Sequence, residues 1–230
     1  MRPRVRALIV AACVSVAAAT ASAQRSSRAV TTAPSGRLST PQDLGLVEGG
    51  DRALWQKPEQ IMDIVGIADG SVVADLGAAG GWFTSRLADR VGPNGLVYAE
   101  DIQPLMLDLI NRRIARENRR NVRTVLGTAN DPRLPAGIDA IMLIDVYTEM
   151  QIPPANPVVL LKNAARSLKR DGRVGVVDFN PGGGGPGPAA SERVDPETVI
   201  TAATEAGLKL VMRDPHVNAF QYLLVFARAD

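Results

Sequence analysis

An aspartate followed by a run of small residues, Asp75-Leu76-Gly77-Ala78-Ala79-Gly80-Gly81, stands where a β-branched stretch gives way to a helical pattern. Glycine at such a turn lets the backbone bend sharply and approach a ligand without a Cβ clash. By itself a glycine-rich turn also serves simply to pack a helix on a strand. A second acid sharpens the reading. Asp101 ends the next predicted strand, 24 residues after Gly77, where a carboxylate can accept hydrogen bonds from both hydroxyls of a ribose. The two features together predict a site for an adenosine-containing ligand. Glu100 is expected to point to the opposite face by the period-two alternation of a strand.

These residues need a scaffold, and the chain alternates short apolar runs with helical patterns. Strands are predicted at Val72–Leu76, Leu96–Ala99, Val122–Leu126, Ile138–Ile144, Val174–Phe179, Leu208–Met212 and Tyr222–Phe226. The fourth is apolar almost throughout, which suits a central parallel strand. Helices are predicted from Pro58, with Ile61, Ile64 and Val65 on one face, and after Gly81, with Phe83, Leu87 and Val91 at i, i+4, i+8. Others are expected around Met106, Ile110 and Ile114, from Pro157 to Lys169 with Asp171-Gly172 as a stop, and from an Asp195 N-cap to Gly207. The short link between the last two strands implies an antiparallel hairpin. The predicted fold is α/β, a Rossmann-like doubly wound seven-stranded sheet, mostly parallel with an antiparallel closing strand. Such sheets bind ligands beyond the carboxyl ends of their strands.

The first 23 residues read as a signal peptide and stay outside the fold. Arg2, Arg4 and Arg6 precede a small-residue apolar run, Ala7–Thr20, and an A-x-A cleavage site, Ala21-Ser22-Ala23. The run is shorter than the roughly 20 residues that span a bilayer, so export to the periplasm or beyond is expected, with no stable membrane insertion after cleavage. Val10-Ala11-Ala12-Cys13 resembles a lipoprotein box, but the apolar stretch before it is too short for one. Residues 24–50, rich in Ser, Thr, Pro and Gly, are expected to be a flexible approach, and 51–230 the folded domain. The 26 basic residues lose Arg2, Arg4 and Arg6 with the leader, leaving 23 against 24 acidic ones, a balance without a nucleic-acid footprint. One histidine, His216, and one cysteine, Cys13 in the leader, exclude a His-cluster or thiolate metal site in the mature chain, and a lone late-chain histidine speaks against a Ser-His-Asp hydrolase.

The run Asp75 to Gly81 resembles motif I of the class I S-adenosylmethionine-dependent methyltransferases, acidic-x-Gly-x-Gly-x-Gly, with Ala79 in place of the middle glycine. The likeness continues through Val97–Ile102, Gly127–Pro132 and Ile144–Tyr147. Within the class the chain is similar to the small ubiquinone and menaquinone C-methyltransferases, including exported relatives with the segment Trp55-Gln56-Lys57-Pro58 before the first strand. The resemblance implies S-adenosyl-L-methionine as cofactor. Asp75, Gly77, Ala78, Ala79 and Gly81 would surround its methionine half. Asp101 and Ile102 would lie at the ribose, Ala129 and Asn130 near the adenine, and Asp145 would close the site from strand four.

Tyr147 and Glu149 come after strand four, where the acceptor should lie, and are the candidate catalytic residues. Some relatives carry histidine where this chain has Thr148, so no histidine base is carried over. The turn also resembles that of ribose 2′-O-methyltransferases of ribosomal RNA, but those place a lysine at strand five, where Val176-Val177-Asp178 stands. A nicotinamide dehydrogenase would need G-x-G-x-x-G, which is absent. The implied activity is direct in-line methyl transfer to a small-molecule acceptor, with no nucleic-acid partner and with the Trp55 segment and the Gly182–Gly187 loop covering the substrate. An exported cofactor-binding module without catalysis is the alternative, since no residue is a compelling base.

Overall fold

The computed structural model describes residues 37–44 and 48–229. The leader, its cleavage site and Cys13 lie outside them. Two short helices open the domain, α1 (Arg52–Gln56) and α2 (Pro58–Val65). Lys57 between them adopts a left-handed conformation, φ 54°, which separates them into two axes. Pro58 sits in the first turn of α2, where its missing N–H costs nothing. Ile61, Met62 and Val65 bury one face of α2, each side chain contributing about 1.5–3 kcal/mol of hydrophobic stabilisation.

Next come β1 (Val72–Leu76), α3 (Trp82–Val91), β2 (Leu96–Asp101), α4 (Pro104–Arg116), β3 (Val122–Leu126) and β4 (Ile138–Ile144). The second half is α5 (Pro157–Ala165), β5 (Leu168–Phe179), α6 (Pro196–Glu205), β6 (Leu208–Asp214) and β7 (Gln221–Arg228). All seven strands join one sheet in the order β3-β2-β1-β4-β5-β7-β6. Only β7 runs antiparallel, inserted between β5 and β6. The order turns at β1, whose neighbours are β2 and β4, so a crevice opens beyond its carboxyl end.

Alternation along the strands sends residues to two cores. Val73, Val97 and Met142 pack against Phe83, Leu87 and Ile110 of α3 and α4. Ala74, Ile141 and Val176 pack on the other face against Leu160, Leu161 and Val199 of α5 and α6. Asp195 caps α6 as expected, its carboxylate accepting the N–H of Glu197 at 2.8 Å.

One boundary is corrected. The helix predicted to reach Lys169 ends at Ala165, and β5 begins at Leu168. Ser167 makes the difference: its carbonyl accepts the N–H groups of Gly137 and Ile138, both at 2.9 Å, and so starts the pairing of β5 with β4. The register then slips between Ile138 and Ala140, and Lys169–Asp171 bulge into solvent. Asp171-Gly172 therefore lies within a bulged strand rather than at a helix end.

Candidate functional site

The β1–α3 turn forms one wall of a pocket at the carboxyl ends of β1, β2 and β4. Gly77 is left-handed, φ 69°, and a Cβ there would collide with the side chain of Val146, so the glycine is required for close approach. Ala79, at the middle motif position, also takes a left-handed conformation, φ 49°. That costs an alanine roughly 1–2 kcal/mol. Asp75 is buried, accepts a hydrogen bond from Thr84 Oγ1 at 2.6 Å, and burial pushes its carboxyl up to about 6.

Asp101 completes this wall. Its Oδ2 accepts the N–H of Ala79 at 3.0 Å and its Oδ1 the N–H of Gln103 at 2.9 Å. Burial raises its pKa in spite of these bonds. Glu100 departs from expectation. It also lines the pocket and is 4% exposed, with Oε2 accepting the N–H of Gly77 at 3.4 Å. Its Oε1 is buried without a hydrogen-bond partner among the described residues, and burial, with Asp101 beside it, pushes the carboxyl up to about 8. Glu100 is still paired with Leu76 and Val125, and the pocket crosses the carboxyl edge of the sheet, so side chains from both faces of β2 reach it.

The opposite wall is assembled from distant segments. Asp145, just past β4, is left-handed at φ 58° and its side chain is 5% exposed. Arg52 Nη2 donates to its Oδ2 at 2.8 Å, Gln56 Nε2 donates to the same oxygen at 2.9 Å, and Gln221 Nε2 donates to Oδ1. Arg52 Nε is held by Gln56 Oε1 at 2.8 Å, and Asn218 Nδ2 by Gln221 Oε1 at 2.8 Å. Arg52 lies 4.4 Å from the ring centroid of Trp82 and Arg86 3.3 Å from it. Glu149, in a 3₁₀ turn at Glu149–Gln151, faces the same space. Its carboxylate accepts both the N–H and the Oγ–H of Ser39, and burial raises its pKa.

Of the predicted residues, Asp75, Gly77, Ala78, Ala79, Asp101, Ile102, Ala129, Asp145 and Glu149 line this pocket. Three do not. Gly81, φ 80°, is the N-cap of α3, where an added Cβ would come within 3.3 Å of Ile110. Asn130 braces a loop: its Oδ1 accepts the N–H of Asn156 at 2.7 Å and its Nδ2 donates to the Pro154 carbonyl at 3.1 Å. Tyr147 is 1% exposed in the core with Leu76 and Leu143. The left-handed Asp145 interrupts the strand, so Val146 lines the pocket instead. The Tyr147 phenol, pushed by burial to about 12 and without a hydrogen-bond partner, is set aside as a catalytic group.

The predicted covers are also corrected. Trp55 packs against Phe179 and Phe220, at 5.9 and 6.0 Å between ring centroids. The Gly182–Gly187 loop is gathered by the Arg193 guanidinium, which donates to the carbonyls of Asn180, Gly183, Pro186 and others. Neither lines the pocket. Leu38, Ser39, Leu44 and Glu48, from the stretch expected to be a flexible approach, line it instead, as do Met150 and Ile152–Ala155. Sequence reading missed these and Arg52, since nothing local marks a residue whose partner is about a hundred positions away.

Comparison with known proteins agrees with this geometry. Residues 73–172 match the family described as "Methyltransferase domain". A structure described as a SAM-dependent methyltransferase from Aquifex aeolicus superposes with a TM-score of 0.75 at 21% identity, covering 82% of this chain and 98% of that one. The match places a methyltransferase-domain pattern on residues 73–172, and the superposition shows that the chain shares the fold of that S-adenosylmethionine-dependent methyltransferase. Within that class the similarity divides. A fibrillarin-like rRNA/tRNA 2′-O-methyltransferase of Pyrobaculum aerophilum is 34% identical over 120 residues, 50% of this chain and 48% of the relative. A demethylmenaquinone methyltransferase of Lactobacillus johnsonii is 29% identical over 135 residues, 58% of this chain and 53% of the relative. The chain thus spans about half the length of the curated relatives it matches.

Proposed function

We propose that the protein binds S-adenosylmethionine in this pocket and transfers its methyl group to a small, uncharged or cationic acceptor. The residues present suit the cofactor. Gly77 lets the turn and Val146 pack closely along one side of the pocket, Asp101 offers a carboxylate beside it for the ribose, and the buried Oε1 of Glu100 has no partner among the described residues. When bound, the cofactor supplies an electrophilic methyl on a sulfonium. The chain contributes position and exclusion of water, which carry most of such a reaction. Val146, Met150 and Ile152 form apolar walls, and Glu149 is the group placed to orient an acceptor or take its proton, its raised pKa moving it toward that use.

The observation that carries the choice of acceptor is charge. Among the described residues that line the pocket, Glu48, Asp75, Glu100, Asp101, Asp145 and Glu149 are acidic and Arg52 alone is basic. A polyanion is repelled by such a lining, and no lysine lies on it, so the small-acceptor reading is preferred to an RNA substrate despite the fibrillarin-like relatives. Incubation with labelled cofactor and a cell-envelope extract, read by mass spectrometry, tests the proposal. S-adenosylhomocysteine with a methylated small molecule is expected. Methylation of added RNA would overturn the acceptor class, and binding without product would favour the non-catalytic module. We further propose export, with a mature chain that begins at Gln24. Intact-mass analysis of the exported protein tests it, and retention of Met1 would overturn it.

A further inference from the structure

The acids that line the pocket are not equally satisfied. Asp145 is paired with Arg52, and Glu48 with Arg113. Glu100, Asp101 and Glu149 are held by N–H and O–H groups, those of Gly77, Ala79, Gln103 and Ser39. Oε1 of Glu100, in a residue 4% exposed, lacks a partner among the described residues. Burial is the largest cause of the raised pKa of all three, and no basic side chain is among the groups that offset it. Such a pocket discriminates by the charge that a reaction creates. A hydroxyl gathers negative charge as it attacks, because its proton must leave, and Arg52, the one basic residue among the described lining, is committed to Asp145. An amine attacks as a neutral group and ends as a cation. Proton transfer from an ammonium to a carboxylate cancels two charges, which burial favours, whereas transfer from a hydroxyl only moves one.

We infer that the acceptor atom is the nitrogen of a primary or secondary amine on a small, otherwise apolar molecule, bound as an ammonium against Glu149. The inference rests on the function proposed above and narrows its acceptor. Each oxygen of Glu149 accepts one bond from Ser39 and keeps a second lone pair for the ammonium. Val146, Met150, Ile152 and Leu160 line the pocket for the apolar remainder. The Glu149 carboxylate takes one ammonium proton. The nitrogen lone pair then forms the N–C bond while the methyl–sulfur bond breaks and its electron pair stays on sulfur. Positive charge passes from sulfur to nitrogen, and no anion is created at any stage. The product, an N-methylammonium, is again a cation among carboxylates.

The experiment is calorimetry of the full chain holding S-adenosylhomocysteine, with benzylamine and hexylamine each measured against the alcohol of the same skeleton. In at least one pair the amine is expected to bind at least about tenfold more tightly, the scale of one hydrogen bond to a charged group. In Glu149→Gln that ratio should fall to about one, and in Glu149→Asp, which keeps the charge, it should survive in part. Circular dichroism shows whether the variants are folded, and the wild-type ratio decides the matter where one is not. With S-adenosylmethionine in place, mass spectrometry should find the N-methylated form of the preferred amine and no methyl ether. Alcohols bound as tightly as their amines, or binding of neither class, would overturn the inference. So would an undiminished ratio in folded Glu149→Gln, a methyl ether as product, or a preferred amine recovered unmethylated. Failure of the folded protein to bind S-adenosylhomocysteine or S-adenosylmethionine would overturn the cofactor reading itself, and the inference with it.

Discussion

Asp101 and Asp145 are both buried aspartates on the wall of one pocket, but they are held by partners of opposite kinds. Asp101 accepts backbone N–H groups from Ala79 and Gln103, 22 and 2 residues away in the chain. Asp145 accepts side-chain donors from Arg52, Gln56 and Gln221, which lie 93, 89 and 76 residues away. The first carboxylate is held by local turns that any folded β1–β2 unit would make. The second exists as a binding feature only after α1, β4 and β7 have come together. One wall of the pocket is thus built by neighbouring turns, and the other depends on long-range assembly.

The sharpest break of this contrast is Asp145→Ala. Removing one member of a buried ion pair takes the nearest counter-charge from Arg52, and a loss of about 3–5 kcal/mol in urea denaturation is expected. A loss under about 1 kcal/mol would mean that α1 simply lets go and returns Arg52 to water. Asp101→Ala should act on the ligand instead. Cofactor affinity should fall at least about tenfold, or about 1.4 kcal/mol, in calorimetry, because each bond from a ribose hydroxyl to a charged group contributes roughly 1.5–3 kcal/mol. Equal affinities for wild type and variant would remove Asp101 from the site.

Glu100 sharpens the comparison through pH. Its pKa is raised from 4.5 to about 8 on folding, so between these values the folded state holds a proton that the unfolded state has released. Stability should therefore fall as pH rises through that window, by at most about 1.4 kcal/mol per unit from this one carboxyl. Asp75, Asp101 and Asp131 face it and none supplies a compensating positive charge. Asp178, buried and raised to about 7, and Asp75, at about 6, add the same trend below pH 7. Glu100→Gln should flatten thermal unfolding midpoints between pH 7 and 8. An unchanged slope there would place the titration elsewhere.

The smallest expected effect is at Ala79. Ala79→Gly relieves roughly 1–2 kcal/mol of left-handed strain but returns about 0.4–1 kcal/mol of backbone freedom to the unfolded chain. A net gain of about 0.5 kcal/mol is expected in the guanidinium midpoint, with unchanged cofactor affinity. Destabilisation would show that the alanine methyl packs well enough to outweigh its φ.

Much of the scaffold is legible in the sequence. The Asp75–Gly81 turn, Asp101 at the end of β2 and the seven strands rest on patterns a few residues long: alternation, glycine at a bend, Pro and Asp at helix starts. Tyr147 and Glu149 stand two residues apart, and their fates diverge because Asp145 adopts φ 58° and reorients the residues after it. No spacing rule reveals that. Glu100 lines the pocket although it is a paired residue of β2, because the pocket lies across the carboxyl edge of the sheet and takes side chains from both faces.

The order of turns and strands is set by local propensity and periodicity, which act over distances the sequence displays directly. The enclosure of the pocket is not. Ser39 against Glu149, Arg52 against Asp145 and Gln221 against Asp145 are contacts across 110, 93 and 76 residues. Each polar partner is buried because the sheet has brought the segments together, and that burial is a property of the assembled fold which no local pattern displays.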